Sequence, residues 1–498
     1  METATGLCEK AEEKMHIVYA ASECVPFARM GGLADVVAAL PREMARQGHR
    51  VTVYLPYYRQ VQKIVTERCV AIPSITIPFH SYNRFVTVLD GGMRDGVQFY
   101  FFDCPELFDR EGLYGVQGGE YGDNWERFGL YSRAVIEASK QLGIPDLFHA
   151  HDWHASLVPV MLRTLYYFDP ALRSIPCLLT IHNAGHQGVF PAQIVEKLDL
   201  PPECFTIDGL EFYGQACLLK GGINYADMLS TVSPRYAQEI QTPEFGAGLE
   251  GVLQQRSADL KGILNGVDYG EWNPVRDGKI AAHFTPARLP GKRDCRRDLM
   301  HAFGLKPDSD QTRVLGVVSA LSTQKGFDLL AETLPELMTR NVMLVLLGTG
   351  EPYYEGLFRS FAERYSERMG LKIAYDDTMA HKIIAGSDVC LMPSRYEPCG
   401  LTQIYSLKYG TVPVVHATGG LDDTIEEWDA SAGTGTGFKF HGFEPGRFLE
   451  ALDRALAALD MPEAWRILQQ NGMEKDFSWL RPAKEYMRLY EESVRRRC

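Results

Sequence analysis

The sequence predicts an α/β protein made of two doubly wound halves, and three observations lead there. Short apolar runs alternate with helical patterns along the chain, these runs number eleven, and a proline-bearing stretch from Tyr269 to Leu299 separates the first six from the last five. Near-continuous apolar strands followed by helices imply parallel sheets covered on both faces. Eleven strands are many for one open sheet, so two Rossmann-like sheets are the economical arrangement. The expected boundaries are an N-terminal domain over 15–262, a C-terminal domain over 263–475, and a last helix over 476–498 that packs back on the N-terminal domain.

HIVYAA at 16–21 opens the series and runs into Ser22-Glu23, then Arg29-Met30-Gly31-Gly32-Leu33 ahead of a helix predicted over 34–47. VTVYLP at 51–56, VQFYFF at 97–102 and LFHAHD at 147–152 follow, the last ending in a cluster of His149, His151, Asp152, Trp153 and His154. CLLTIHN at 177–183 ends in His182-Asn183, and MLSTVS at 228–233 closes the first half. A second strand-Gly-helix series starts after Asn265-Gly266, while 269–299 reads as a connector without a clean element. VLGVVSA at 314–320 leads to Lys325-Gly326, VMLVLLG at 342–348 and KIAYD at 372–376 come next, and VCLMPS at 389–394 leads to Glu397-Pro398-Cys399-Gly400-Leu401. VPVVHAT at 412–418 runs into Thr418-Gly419-Gly420. The closing segment reads as a helix with Leu480, Tyr486, Met487 and Tyr490 on its apolar face.

The 498 residues suffice for two to four domains, and 45% apolar with 23% charged residues excludes a largely disordered or fibrous chain. A formal charge of −13 argues against nucleic acid or an anionic membrane as the main partner. The eleven cysteines show no CxxC or zinc spacing, which reads as a reduced thiol set. The N-terminus lacks the apolar stretch of a secretory signal, and no run approaches the roughly 18 apolar residues of a membrane span. The expectation is a cytoplasmic protein, with oligomeric state left open.

Ligands of doubly wound sheets bind beyond the carboxyl ends of the strands, so the chemistry is sought there. Paired glycines let a backbone approach an oxyanion, and a following helix offers free N–H groups. Two such turns, one in each half, fit a diphosphate, although either also serves as a plain turn. Neither has the GxGxxG dinucleotide spacing, and no GxxxxGK[ST] occurs. The imidazoles after the fourth and fifth strands lack metal-ligand spacing, and His, Asp, Asn and Trp together suit hydroxyl binding and ring stacking better, so no metal is expected. Lys325 puts a cation at a strand end, and Glu397 puts a carboxylate before a Pro-Cys-Gly turn, where it could also cap a helix.

The stretches GGLADVV, HAHDWHA, HNAGHQGVF, GLEFYGQACLLKGGINYAD, ILNGVD, QKGFDLL, SRYEPCGLTQ, TGGLDDT and DFSW resemble the bacterial glycogen synthase and plant starch synthase family, and they occur in its order across residues 16–479. The resemblance implies the GT-B fold, with two Rossmann-like domains facing each other across a deep cleft. It also implies transfer of glucose from ADP-glucose, or less often UDP-glucose, to the non-reducing 4-hydroxyl of an α-1,4-glucan, with retained anomeric configuration and no cofactor. On that resemblance His182 bonds the donor sugar, Asp152 lies on the acceptor side, and Glu397 lies by the transferring glucose. Cys399, Gly400 and Leu401 hold its hydroxyls, and Lys325 neutralises the departing diphosphate. Arg29, Gly31, Gly32, Thr418, Gly419 and Gly420 assist there, Asp35 and Asn265 line the donor pocket, and Tyr375 stacks on the base. Tyr114 contacts diphosphate or sugar, and Asn183 contacts sugar or acceptor.

Four positions depart from the family pattern. Arg29 replaces the usual Lys, His186 a common Tyr, His416 a common Arg, and Ala320 an Arg normally directed at the phosphates. Guanidinium and ammonium differ in geometry. Losing a charge-assisted contact to a leaving group costs on the order of a hundredfold or more in rate. The alternatives are therefore a catalytically weakened glucan-binding relative, or a GT-B transferase using UDP-glucose or another sugar donor.

Overall fold

The computed structural model describes residues 14–116, 119–306 and 312–497. The chain divides into two compact units. Of the described residues, the first takes those up to Thr180, His186–Leu229 and those from Tyr486 on, and the second takes Ile181–Gly185 and those within Ser230–Glu485.

In the first unit, seven consecutive strands of one sheet run in the order Cys177–Ile181, Leu147–His151, His16–Ala20, Arg50–Pro56, Val97–Asp103, Tyr82–Arg94 and Cys69–Phe79. The first five pair in parallel, as their apolar sequences predict, and His16–Ala20 is buried at every position. The last two strands are antiparallel and form a hairpin absent from the expectation. Its signal is weaker because buried Ile75, Ile77 and Phe79 alternate with exposed or half-buried residues and register shifts interrupt the period.

The chain's last helix, Leu480–Arg495, contributes its C-terminal part to this unit. Tyr490 bonds the Tyr19 hydroxyl at 2.7 Å and His149 Nδ1 at 2.9 Å, so two strands and the helix share one buried polar network. Of its predicted apolar face, Tyr486 and Tyr490 are fully buried, whereas Leu480 is 58% exposed at the helix start.

The second unit holds an all-parallel six-stranded sheet ordered Met369–Ile373, Val342–Gly348, Arg313–Val318, Val389–Met392, Val412–His416 and Phe438–Phe440. Its core packs Leu315, Val317, Leu344, Leu346 and Val414 against Phe327, Phe358, Phe448 and Leu452 from the covering helices. Burying each such side chain contributes about 1.5–3 kcal/mol before conformational entropy is counted.

Two expectations shift here. The strand expected at 372–376 lies at Met369–Ile373, because it pairs with Val342–Gly348 and because Asp376 caps the next helix by accepting the Met379 amide. The stretch expected to be a connector ends in a helix, Pro290–Ala302. Pro290 pre-sets the first helical turn, and Cys295, Leu299 and Met300 give the helix a buried face that charged neighbours mask in the sequence.

The contact boundary also falls at 229/230 instead of 262/263. Ser233 donates its hydroxyl to Asp423 at 2.6 Å, and Glu239 accepts from Thr418 and Gly419, which ties 230–262 to the second unit. Among the described residues no helix is long and apolar enough to cross a membrane.

Candidate active site

In the second unit, the strands Arg313–Val318 and Val389–Met392 are neighbours, so the turns that follow them meet. The Arg395 amide donates to the Gln324 carbonyl at 2.9 Å. This contact sets Lys325 against Glu397, with Nζ 2.8 Å from Oε1 and 2.6 Å from Oε2. Ser394 adds its hydroxyl to Oε2 at 3.1 Å. The Glu397 side chain is 5% exposed while the Lys325 side chain keeps 25% of its surface, so the cation faces outward from a buried anion.

The His182-Asn183 segment reaches the same turn. The Asn183 side chain accepts the Gly185 amide at 2.9 Å, and its hydrogen bond with the Tyr396 hydroxyl partly offsets the burial that pushes that phenol up. His182 is 8% exposed, and burial drives its imidazole down to about 3. The ring is thus neutral near pH 7 and suited to hydrogen-bond a sugar without carrying charge. The unfolded chain protonates this residue near 6.5 and the folded chain near 3, so its contribution to stability falls as pH drops below 6.5. Side-chain nitrogen NMR of His182 is expected to report a neutral ring from about pH 8 to pH 5. A titration midpoint near 6.5 would contradict this placement.

Asn265 lies by Cys399, whose thiol burial pushes up to about 12, with hydrogen bonds from Asn265 opposing the rise. Gly400 has φ +69°, which places it in the region glycine tolerates, and Leu401 caps the helix Thr402–Lys408. Tyr375 is 74% exposed, and neither a hydrogen bond nor a ring contact joins it to the Lys325–Glu397 pair. Ala320 is exposed at a strand end. His416 stands where an Arg is common. Burial lowers its imidazole, and the ring bonds the Ser394 carbonyl at 2.8 Å between Phe440 and Phe443.

The Gly-Gly turns differ from the sequence expectation in a specific way, because each already carries a protein carboxylate. In the first unit, Glu23 Oε2 accepts the Met30 and Gly31 amides at 2.6 and 3.0 Å, and its Oε1 accepts the Tyr114 hydroxyl at 2.6 Å. Burial raises the Glu23 carboxyl above its ordinary range. The helix Gly32–Arg46 begins just beyond these two amides, and added Cβ atoms at Gly31 and Gly32 would meet open space. Arg29 and Asp35 pair with each other at 3.1 Å.

Tyr114 also bonds Ser22 at 2.7 Å and stacks on His154 at 4.3 Å, so it links the first turn to the histidine cluster. Asp152 sits there 7% exposed with φ +53°, an uncommon backbone state that clusters at functional sites. The adjoining imidazole His149 is committed to Thr180 at 2.6 Å and to Tyr490, which explains this part of the cluster as core. His186 is exposed.

Among the described residues, the one grouping with convergent ligand atoms is Glu271, Asp377 and His381. The Lys279 ammonium lies among them, 2.9 Å from Glu271, bonded to Asp377 and 3.3 Å from His381 Nε2. In the second unit, sequence reasoning missed Glu239, which is 5% exposed and accepts from the second Gly-Gly turn. It also missed Ser394, whose place beside Glu397 in the SRYEP stretch was a usable signal.

A family profile described as "Starch synthase catalytic domain" matches residues 16–255, and one described as "Glycosyl transferases group 1" matches 305–470. The chain is 53% identical to the "Glycogen synthase" of Koribacter versatilis over 479 residues, covering 96% of this chain and 98% of that protein. It is 43% identical to "Glycogen synthase 1" of Geobacter metallireducens, with 97% of each chain covered. Among solved structures it is similar to the catalytic domain of starch synthase IV from Arabidopsis thaliana bound to ADP and acarbose. That likeness has a TM-score of 0.88 and 30% identity, and covers 97% of this chain and 100% of that one.

Proposed function

Because the chain belongs to the glycogen and starch synthase family and is a GT-B hexosyltransferase that extends a glucan, we propose that ADP-glucose is its donor and that no cofactor takes part. Glucose passes to the non-reducing 4-hydroxyl of an α-1,4-glucan with its configuration retained. The observation that carries this reading is the Lys325 ammonium seated on both oxygens of buried Glu397 at the strand ends.

Breaking the bond between C1 and the diphosphate oxygen builds positive charge on the sugar and negative charge on the leaving group. Lys325 answers the second charge, and Glu397, once the diphosphate draws on the ammonium, answers the first. Neutral His182 and the groups around Cys399 orient the hexose. The acceptor oxygen bonds C1 on the face the diphosphate leaves, its proton passes to the departing phosphate oxygen, and ADP is released. Two carboxylates about 5 Å apart would instead mark a double-displacement site. The Glu397 carboxylate accepts from Lys325 and Ser394.

Tyr375 stacks on the base, Asp35 and Asn265 line the donor pocket, and Arg29, Gly31 and Gly32 assist at the diphosphate. Tyr114, Asp152 and Asn183 serve sugar and acceptor. The expected result is incorporation of labelled glucose into glycogen from ADP-glucose, with UDP-glucose at least about tenfold slower in kcat/KM. Equal use of both donors would overturn the preference. Glucan binding without transfer from either donor would favour a weakened relative lacking the phosphate contact that Ala320 cannot make. A trapped glucosyl ester on Glu397 would overturn the direct displacement.

A further inference from the structure

The turn Thr418-Gly419-Gly420 has its backbone donors committed within the protein. The Gly419 amide donates to Glu239 Oε1 and Oε2 at 3.1 and 3.0 Å, and the Thr418 hydroxyl donates to Oε2 at 3.1 Å. The Gly420 amide donates to the Glu397 carbonyl at 3.0 Å, and the Leu421 amide to the Thr418 carbonyl at 3.0 Å. Both turns carry a carboxylate, but a Cβ at Gly31 or Gly32 meets open space, whereas the second turn is packed against neighbouring backbone.

Its fit against the Glu397 segment is close enough to transmit position. A Cβ on Gly419 would lie 1.9 Å from the Glu397 carbonyl oxygen, and one on Gly420 would lie 2.1 Å from that of Cys399. Only hydrogen atoms separate the two backbones, so a displacement of one is passed to the other. Glu239 is 5% exposed, and its charge is met by Arg235, whose Nε donates to Oε1 at 3.0 Å. A buried carboxylate that accepts from a hydroxyl, an amide and a guanidinium has little freedom to shift.

We propose that Glu239 is a positioning residue for the transfer: by fixing the Thr418-Gly419-Gly420 turn it fixes the Glu397 backbone, and so the carboxylate on which Lys325 is seated. This rests on the functional reading of Lys325 and Glu397 given above. Glu239 touches neither reacting group and acts through the turn.

The helix Pro234–Glu239 has a second tie to the helix Gly419–Thr424 through Asp423, which accepts the Ser233 hydroxyl at 2.6 Å and the Arg235 amide at 2.9 Å. Glu239→Gln should therefore fold. In that variant the full chain is expected to lose about tenfold in kcat, with the KM for glycogen changed less than about twofold. In a Lys325→Ala background the same substitution should cost less than about twofold more, since the group it positions is gone.

Thr418→Val removes one donor to Glu239 and is expected to give a smaller loss of the same pattern; it carries the test if Glu239→Gln does not fold. A folded Glu239→Gln protein with unchanged kcat, or a loss fully additive with Lys325→Ala, would overturn the proposal. Failure of the unmodified protein to transfer glucose would sink the functional reading instead. ADP titration then reads the site directly: Glu239→Gln weakening ADP binding severalfold supports the proposal, and unchanged binding refutes it.

Discussion

Lys325→Ala is expected to lower kcat on the order of a thousandfold, with the KM for glycogen within about threefold of the unmodified protein. Two losses combine. On the proposed function the leaving diphosphate loses the cation that meets its developing charge, an interaction of the class whose removal costs about 10²–10³ in turnover. Glu397, 3% exposed, is left with Ser394 at 3.1 Å in place of an ammonium on both oxygens. A buried carboxylate deprived of its ammonium partner is an uncompensated buried charge, so on the proposed function the group by the transferring glucose is no longer held in place. Lys325→Arg should recover only part of the rate, because a planar fork does not fit the seat of a compact ammonium. Initial rates with ADP-glucose and glycogen, alongside thermal unfolding to establish folding, decide the matter. A Lys325→Ala enzyme within about tenfold of the original rate would remove Lys325 from the leaving-group site.

Gly326→Ala is expected to damage both stability and turnover, and for one reason. Gly326 has φ +74°, and a Cβ there would lie 1.8 Å from the Pro393 carbonyl oxygen. Both obstacles are backbone, so no side-chain rotation relieves them. The turn must move away from the Pro393–Glu397 segment, breaking the Arg395 to Gln324 hydrogen bond and carrying Lys325 off Glu397. A cost of about 2–4 kcal/mol follows from the positive φ and the clash together, which lowers the thermal midpoint of this unit by roughly 6–12 °C. Displacing a catalytic cation by about 1 Å costs on the order of a hundredfold in kcat. Differential scanning calorimetry and initial rates check the two effects. An unchanged midpoint would show that the two turns are not in close contact.

Much of the fold was legible because its signal is local. An apolar run such as VMLVLLG states both a strand and its burial on two faces, and Val342–Gly348 has those bounds. The hairpin Cys69–Arg94 was not legible, since an antiparallel edge pair with register shifts spreads its apolar residues among exposed ones. The helix Pro290–Ala302 was hidden by its charged outer face, which only a packed neighbour makes intelligible. The site divides in the same way. Lys325 and Glu397 stood out as isolated charges after strands, whereas Glu239, 158 residues before Glu397 in the chain, looked like any helix-end acid.

By itself the sequence determined the strand series, the presence of two halves, and the residue types available at each strand end, because these depend on periodicity and on chemistry carried by neighbouring residues. Tertiary structure alone decided what those residues are joined to. It gave the second Gly-Gly turn to Glu239 and the Glu397 carbonyl, committed His149 to the core, and set His416 against the Ser394 carbonyl. The physical reason is that a hydrogen-bond donor or an ionised group is settled by whichever partner folding brings within about 3 Å, and local sequence does not encode that partner.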